Sequence, residues 1–184
     1  MEQITIERVP SKVYWKRKKK LGSAAKKSPR QGKMGQIAFN ALVAALFFLI
    51  IASACAAMLN FKSLWYDTLI KPPFMPRPHI FVTGSASMFA ILGYVFYHAL
   101  SSGNRAHIVG IAINGVFYVM VVYLFYILKS PLGSFIVISV LVAQTATVMV
   151  ETWRAKRARA LLLLPVILWQ CYMLLLVYFI LMLN

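Results

Sequence analysis

The chain has 184 residues, 61% of them hydrophobic, with a formal net charge of +16 and a mean hydropathy of +0.74. Soluble domains use roughly 45–50% apolar residues, so this composition excludes an ordinary soluble protein and points to an integral, multi-pass membrane one. The only acidic side chains are Glu2, Glu7, Asp67 and Glu151; none lies inside an apolar run, which excludes paired acid–base chemistry within a membrane bundle.

Residues 1–34 come first, a basic tail with eleven Lys and Arg, including Lys16 to Lys20, spaced by Gly, Ser and Pro. It is too polar to bury a core and reads as a disordered cytosolic tail. Each basic residue near anionic headgroups contributes about 1 kcal/mol of attraction, so membrane lipids are its expected partner. Tyr14 and Trp15 are its only aromatic residues, too few for a stacking platform, and nucleic acid is not expected to bind.

Five apolar runs then follow, at about 37–59, 80–100, 108–128, 132–150 and 160–183, none with an internal Lys, Arg, Asp or Glu. Each is long enough to cross about 30 Å of hydrocarbon. Lipid offers no hydrogen-bond partners to a backbone, so each run has to be helical. The expected fold is therefore an all-α membrane protein, a five transmembrane helix bundle over residues 35–184. The first run starts too late and is too long for a signal peptide. Pro165 falls in the first turn of the last span, where a missing N–H costs little.

Between the first two spans lies Trp65 to Phe81, WYDTLIKPPFMPRPHIF. Pro72, Pro73, Pro76 and Pro78 fix φ and remove donors, so this proline-rich loop reads as a rigid lid rather than a tether. Lys and Arg are retained on the cytoplasmic side. The tail, Arg105 and the 151–159 loop hold sixteen of the twenty, against Lys62, Lys71, Arg77 and Lys129 on the other face. The N-terminus is thus expected inside and the lid outside, in a bacterial cytoplasmic membrane or, alternatively, an organelle membrane.

Other chemistry is sparse. Glu151 and Arg154 are spaced for an exposed helix-end ion pair. His79, His98 and His107 lack metal-site clustering, with haem ligation by one of them as a minor alternative. Cys55 and Cys171 read as small buried hydrophobes. Helical spacing aligns Phe81, Ser85, Phe89 and Phe96 on the second span, Asn114, Phe117, Val121 and Phe125 on the third, and Pro165, Trp169, Tyr172, Leu176 and Phe179 on the fifth. Such stripes fit ordinary packing and a ligand box alike. Ala52/Ala56 and Ser53/Ala57 are small pairs four apart that permit close helix approach, the kind of contact a homodimer would use.

The lid residues Trp65, Tyr66, Leu69, Lys71, Pro72, Phe74, Pro76 and Phe81 resemble the loop motif of the TspO/MBR family, the translocator or tryptophan-rich sensory proteins. Gly93 is similar to the family's second-helix glycine, and Asn114 to the asparagine opening its Asn-x-x-Trp motif. Leu162 to Pro165 with Trp169, and the ending Val177-Tyr178 with Leu183-Asn184, resemble its fifth helix. The chain departs from the pattern at Ser85, Phe89, Phe117, Val166 and Val177, where the family has Trp, Tyr, Trp, Tyr and Asn.

The resemblance implies a sensor or carrier of a planar hydrophobic molecule, a porphyrin or a sterol, with no required cofactor. Trp65, Pro72, Phe81, Phe89, Asn114, Phe117, Trp169 and Tyr172 are the ligand-binding residues it implies, Trp65 capping a cavity and Trp169 on its wall. Lys71 or Arg77 would meet ligand carboxylates at the rim or snorkel to headgroups. Light-driven porphyrin breakdown, attributed in the family to pocket tryptophans, is one alternative; a structural or assembly protein with a degenerate pocket is another. No basic residue follows Tyr172 or Tyr178 to complete the proposed sterol pattern.

Overall fold

The structure, a computed structural model, describes residues 29–184. The chain divides into two units, Met1–Phe39 and Asn40–Asn184. Of the first, the described part is helical from Pro29, so the last residues assigned to the tail already belong to a helix; residues 1–28, with the rest of that expectation, lie outside the described residues. A proline at the first helical position lacks only an N–H that would be unpaired there anyway.

Five helices are long and apolar enough to cross a membrane: Met34–Met58, Pro78–Ser102, Arg105–Ile127, Pro131–Arg154 and Arg157–Leu183. The all-α five-span architecture is as the sequence predicts, and most spans run past their hydropathy limits because polar caps carry the helix into the interface. Asn104 accepts from the His107 N–H and Ser130 from the Gly133 N–H, while Pro78 and Pro131 open their helices. Gly103, at φ 69°, closes the second span and donates to the Ala99 and Leu100 carbonyls, a left-handed cap that glycine adopts without strain.

Regular helix fails at two places. The third span ends in a π turn, Tyr123–Ile127, whose wider coil turns the consecutive rings Phe125 and Tyr126 both toward the lid. Between the fourth and fifth spans the chain is not a loop from 151 onward: helix continues to Ala155, Lys156 is extended, and a short helix Arg157–Leu161 precedes the main helix Leu164–Leu183. The break at 162–163 follows from Pro165, which cannot bond back to the preceding turn. Glu151 and Arg154 stay unpaired with each other; among the described residues the one ion pair is Asp67–Lys71, 3.7 Å.

Leu46, Ile50, Val116, Val140 and Leu168 are exposed on the bundle exterior, whereas Phe48, Leu92, Ile111, Leu141 and Val166 fill the core. That inversion of soluble-protein surfaces is what lipid as solvent requires. Cys55 is buried as expected, but Cys171 is exposed, one position past the buried Gln170 and so turned about 100° away from it round the helix. The first span is seated by side chains, Phe48 against Gly93 and Ile51 against Gly115, where any Cβ on the third span would collide with Ile51.

Candidate functional site

A small hollow of about 40 Å³ is walled by Phe81, Ser85 and Phe89 of the second span, Tyr118 of the third, and Trp169 and Gln170 of the fifth. A second hollow of similar size, about 40 Å³, lies nearer the lid beside Met75, Phe125 and Tyr126. Phe81, Val121, Val122 and Met173 border both. Phe81 and the flexible Met173 side chain thus stand between the two. A wider groove of about 570 Å³ between the first and second spans is lined by alanines and open to lipid.

Gly84 positions the wall. Its missing side chain leaves room for the six-membered ring of Trp169, which occupies the place a Cβ would take. The indole is thereby pressed onto the second helix, its centroid 6.2 Å from Phe81 and 5.6 Å from Tyr172. Phe89 meets Tyr118 edge to face at 5.1 Å.

Polar atoms around the hollow lack well-aligned partners. The Tyr118 hydroxyl, the Trp169 indole N–H and both ends of the Gln170 amide are buried without a well-aligned hydrogen bond; the Tyr118 hydroxyl lies beside the Gln170 amide, and Gln170 is 1% exposed. Each such orphan costs about 1–3 kcal/mol, and buried polar atoms are otherwise almost always paired. These three polar side chains lie within the wall of the hollow, whose own surface is almost wholly apolar, so a bound molecule reaches them only when the wall moves.

The lid is stapled to the fifth span. Asn184 accepts from the Ile70 N–H at 2.9 Å and donates to the carbonyls of Ile70 at 3.2 Å and Ile180 at 2.9 Å. The Tyr172 hydroxyl donates to the Phe74 carbonyl at 2.9 Å, and Phe74 packs on Phe179 at 5.2 Å. Beneath the lid, Trp65 meets Phe125 at 5.4 Å and Tyr66 stacks on Tyr126 at 5.9 Å. Lys71 lies 4.2 Å over the Tyr66 ring and also pairs with Asp67, which leaves Arg77 as the less committed cation of the rim. Burial, reinforced by the Asp67 carboxylate, holds the Tyr66 phenol above its ordinary range, so it stays protonated and donates to the Met75 sulfur at 3.8 Å.

Of the residues singled out from sequence, Phe81, Phe89 and Trp169 line the first hollow. Trp65, Pro72 and Tyr172 belong to the lid layer; Trp65 covers Phe125 rather than the hollow itself. Asn114 and Phe117 border neither hollow. Asn114 instead clamps the third span to the fourth: its Nδ2 donates to Gln144 Oε1 at 2.8 Å and to Thr145 Oγ1, and Gln144 returns a bond to the Gly110 carbonyl. Gln170, Tyr118 and Gly84 escaped the sequence reading. A Gln inside an apolar run was a usable signal, since an intramembrane amide needs a partner; nothing in the sequence marked Gly84.

The sequence model of the TspO/MBR family matches residues 40–183. Comparison with curated proteins returns no match.

Proposed function

Since this chain belongs to the TspO/MBR family, we propose that it binds a planar hydrophobic molecule, a tetrapyrrole ahead of a sterol, in the two hollows beneath the lid, and senses it or hands it on. The observation that carries this reading is the orphaned set Tyr118, Trp169 and Gln170 around an aromatic-walled hollow. A guest that stacks on Phe81, Phe89 and Trp169 gains about 0.5–1.5 kcal/mol per well-placed ring beyond area burial. Its ring nitrogens or side groups would satisfy the amide and the indole N–H once the wall moves. The hollow, at about 40 Å³, is well under the roughly 300–1,000 Å³ of ordinary ligand sites, so binding is coupled to displacement of Phe81 and Met173.

The apolar runs within the spans hold no acidic or basic side chain, which favours a carrier or sensor over an ion-coupled pump. The charge bias favours an N-terminus on the cytoplasmic side of a bacterial membrane. Ser53, Ala56 and Ala57 point outward, with Ala52 half-buried, and offer a small-residue surface for a homodimer. The small size of the hollow favours one second reading, a structural or assembly protein whose pocket has filled in.

Titration of the purified full chain with protoporphyrin, followed by its absorption band, separates the two. A saturable spectral shift that weakens by about tenfold in Gln170→Leu, the loss of one good hydrogen bond, supports a binding site. No saturable shift, or one that Gln170→Leu and Trp169→Phe both leave unchanged, rejects it. Illumination of the complex adds the enzymatic alternative: a new absorbing product whose formation collapses in Trp169→Phe would mark a photo-enzyme.

A further inference from the structure

The opposite end of the bundle holds a polar cavity that the reading above does not use. It has about 300 Å³ and is lined by His98 and Asn104 near the turn after the second span, His107 of the third, Thr152 of the fourth, and Lys156 and Arg159 between the fourth and fifth. This is the end that the charge bias assigns to the cytoplasm. Its floor is apolar, its rim carries two cations and two imidazoles, and no carboxylate borders it. Among the described residues neither Lys156 nor Arg159 has an acidic partner. Nearby Arg157 is engaged elsewhere, over the Trp153 ring at 5.9 Å.

The backbone builds this arrangement rather than leaving it to free side chains. Lys156 is the extended residue, φ −155°, at which the fourth span stops and the next helix starts, its N–H held by the Thr152 carbonyl at 2.8 Å. Arg159 is half-buried, and both cations come within electrostatic range of His98. His107 is 8% exposed, with Nε2 2.8 Å from Thr152 Oγ1. The Thr152 hydroxyl gives its single proton to the Val148 carbonyl at 2.7 Å. Thr152 therefore accepts from Nε2–H, which fixes the tautomer of His107. The eighteen-residue helix Arg105–Val122 starts at this cavity, adding the positive end of its dipole.

We propose that this cavity is a phosphate-binding site, with Arg159 and Lys156 as the anion ligands and His98 as a supporting donor. Guanidinium and ammonium groups with no carboxylate in reach, held over a preformed hollow, match phosphate oxygens through charge-assisted hydrogen bonds. The phosphate comes either as the free ion or as the headgroup of an anionic lipid whose chains lie along the adjoining helices.

The test uses the full-length protein with two probes: inorganic phosphate in detergent, followed by calorimetry, and nanodiscs of phosphatidylcholine with and without phosphatidic acid, followed by the lipid retained on purification. The variant Lys156→Gln/Arg159→Gln is compared with Arg154→Gln/Arg157→Gln, which removes the same charge from the same segment outside the cavity. Loss of about tenfold or more in affinity or retention in the first variant only, the size of one charge-assisted bond, establishes the site. A response to inorganic phosphate identifies a free anion and a response to phosphatidic acid alone a headgroup. Equal losses in both double variants, or no binding of either probe to wild-type protein, overturns the proposal. Thermal unfolding of each variant checks that folding is retained, and Arg159→Lys, which keeps the charge, should recover most of the binding in a folded protein.

Discussion

The indole ring of Trp169 occupies the space in front of Gly84 where any other residue would place its Cβ. One wall of the hollow is thus set by an absent side chain on the facing helix. Gly84→Ala is expected to push the ring out of register and to cost about 1–3 kcal/mol by overpacking, partly offset by the better helix propensity of Ala, about 1 kcal/mol. The hollow loses its shape, so protoporphyrin affinity should fall more than stability does. The check is a paired measurement of thermal unfolding and absorption titration. An unchanged titration in a folded Gly84→Ala protein would show that Trp169 is not part of the wall a ligand uses.

Gln170 separates stability from function by sign. Both ends of its amide are buried without a well-aligned hydrogen bond, so Gln170→Leu replaces a poorly satisfied group by an apolar one of similar volume. The ligand-free protein should become more stable by about 1–2 kcal/mol, while ligand-induced stabilisation shrinks. Differential scanning fluorimetry with and without porphyrin reads both effects. If the variant is less stable without ligand, the amide has a partner in the membrane and the orphan argument fails.

The parts of this fold that depend on hydropathy were legible in the sequence: five spans and their order. Cap residues extended those spans because Asn104, Ser130, Pro78 and Pro131 act through single hydrogen bonds or fixed φ, which an average over twenty apolar residues does not register. The site was legible where it rests on large aromatics, Phe81, Phe89 and Trp169. Asn114 was correctly marked as needing a partner, yet helical spacing alone could not say whether that partner was a ligand or the neighbouring span; Gln144 and Thr145 took it. The π turn at Tyr123–Ile127 was invisible because it is fixed by how Phe125 and Tyr126 meet the lid, a tertiary choice.

That clamp gives the third prediction. Asn114→Ala removes two bonds across the third and fourth spans and leaves the acceptors of Gln144 and Thr145 short of a donor. Interhelical hydrogen bonds in membranes average about 0.6 kcal/mol and reach about 1.7, so a loss of about 1–2 kcal/mol is expected. Because Asn114 borders neither hollow, porphyrin affinity should hold at temperatures where the variant is folded. A selective loss of affinity with stability intact would return Asn114 to the ligand site.

The lid offers a kinetic test. Asn184 holds Ile70 by one accepted and one donated bond, and Tyr172 holds Phe74 by one more, so three hydrogen bonds, together with the Phe74–Phe179 contact, pin the proline-rich segment to the fifth span. Each net bond is worth about 0.5–1.5 kcal/mol. Asn184→Ala with Tyr172→Phe should therefore raise the open population of the lid by roughly one to three orders of magnitude. Faster hydrogen exchange at the Ile70 amide reports the opening directly, and stopped-flow displacement of bound porphyrin reports its consequence. If the lid gates the hollow, association and dissociation both accelerate while the equilibrium affinity changes far less, since opening lowers the barrier in both directions. Faster exchange at Ile70 with unaltered displacement kinetics would mean that ligand enters between the helices from the lipid, and that the stapled loop serves only to brace the bundle.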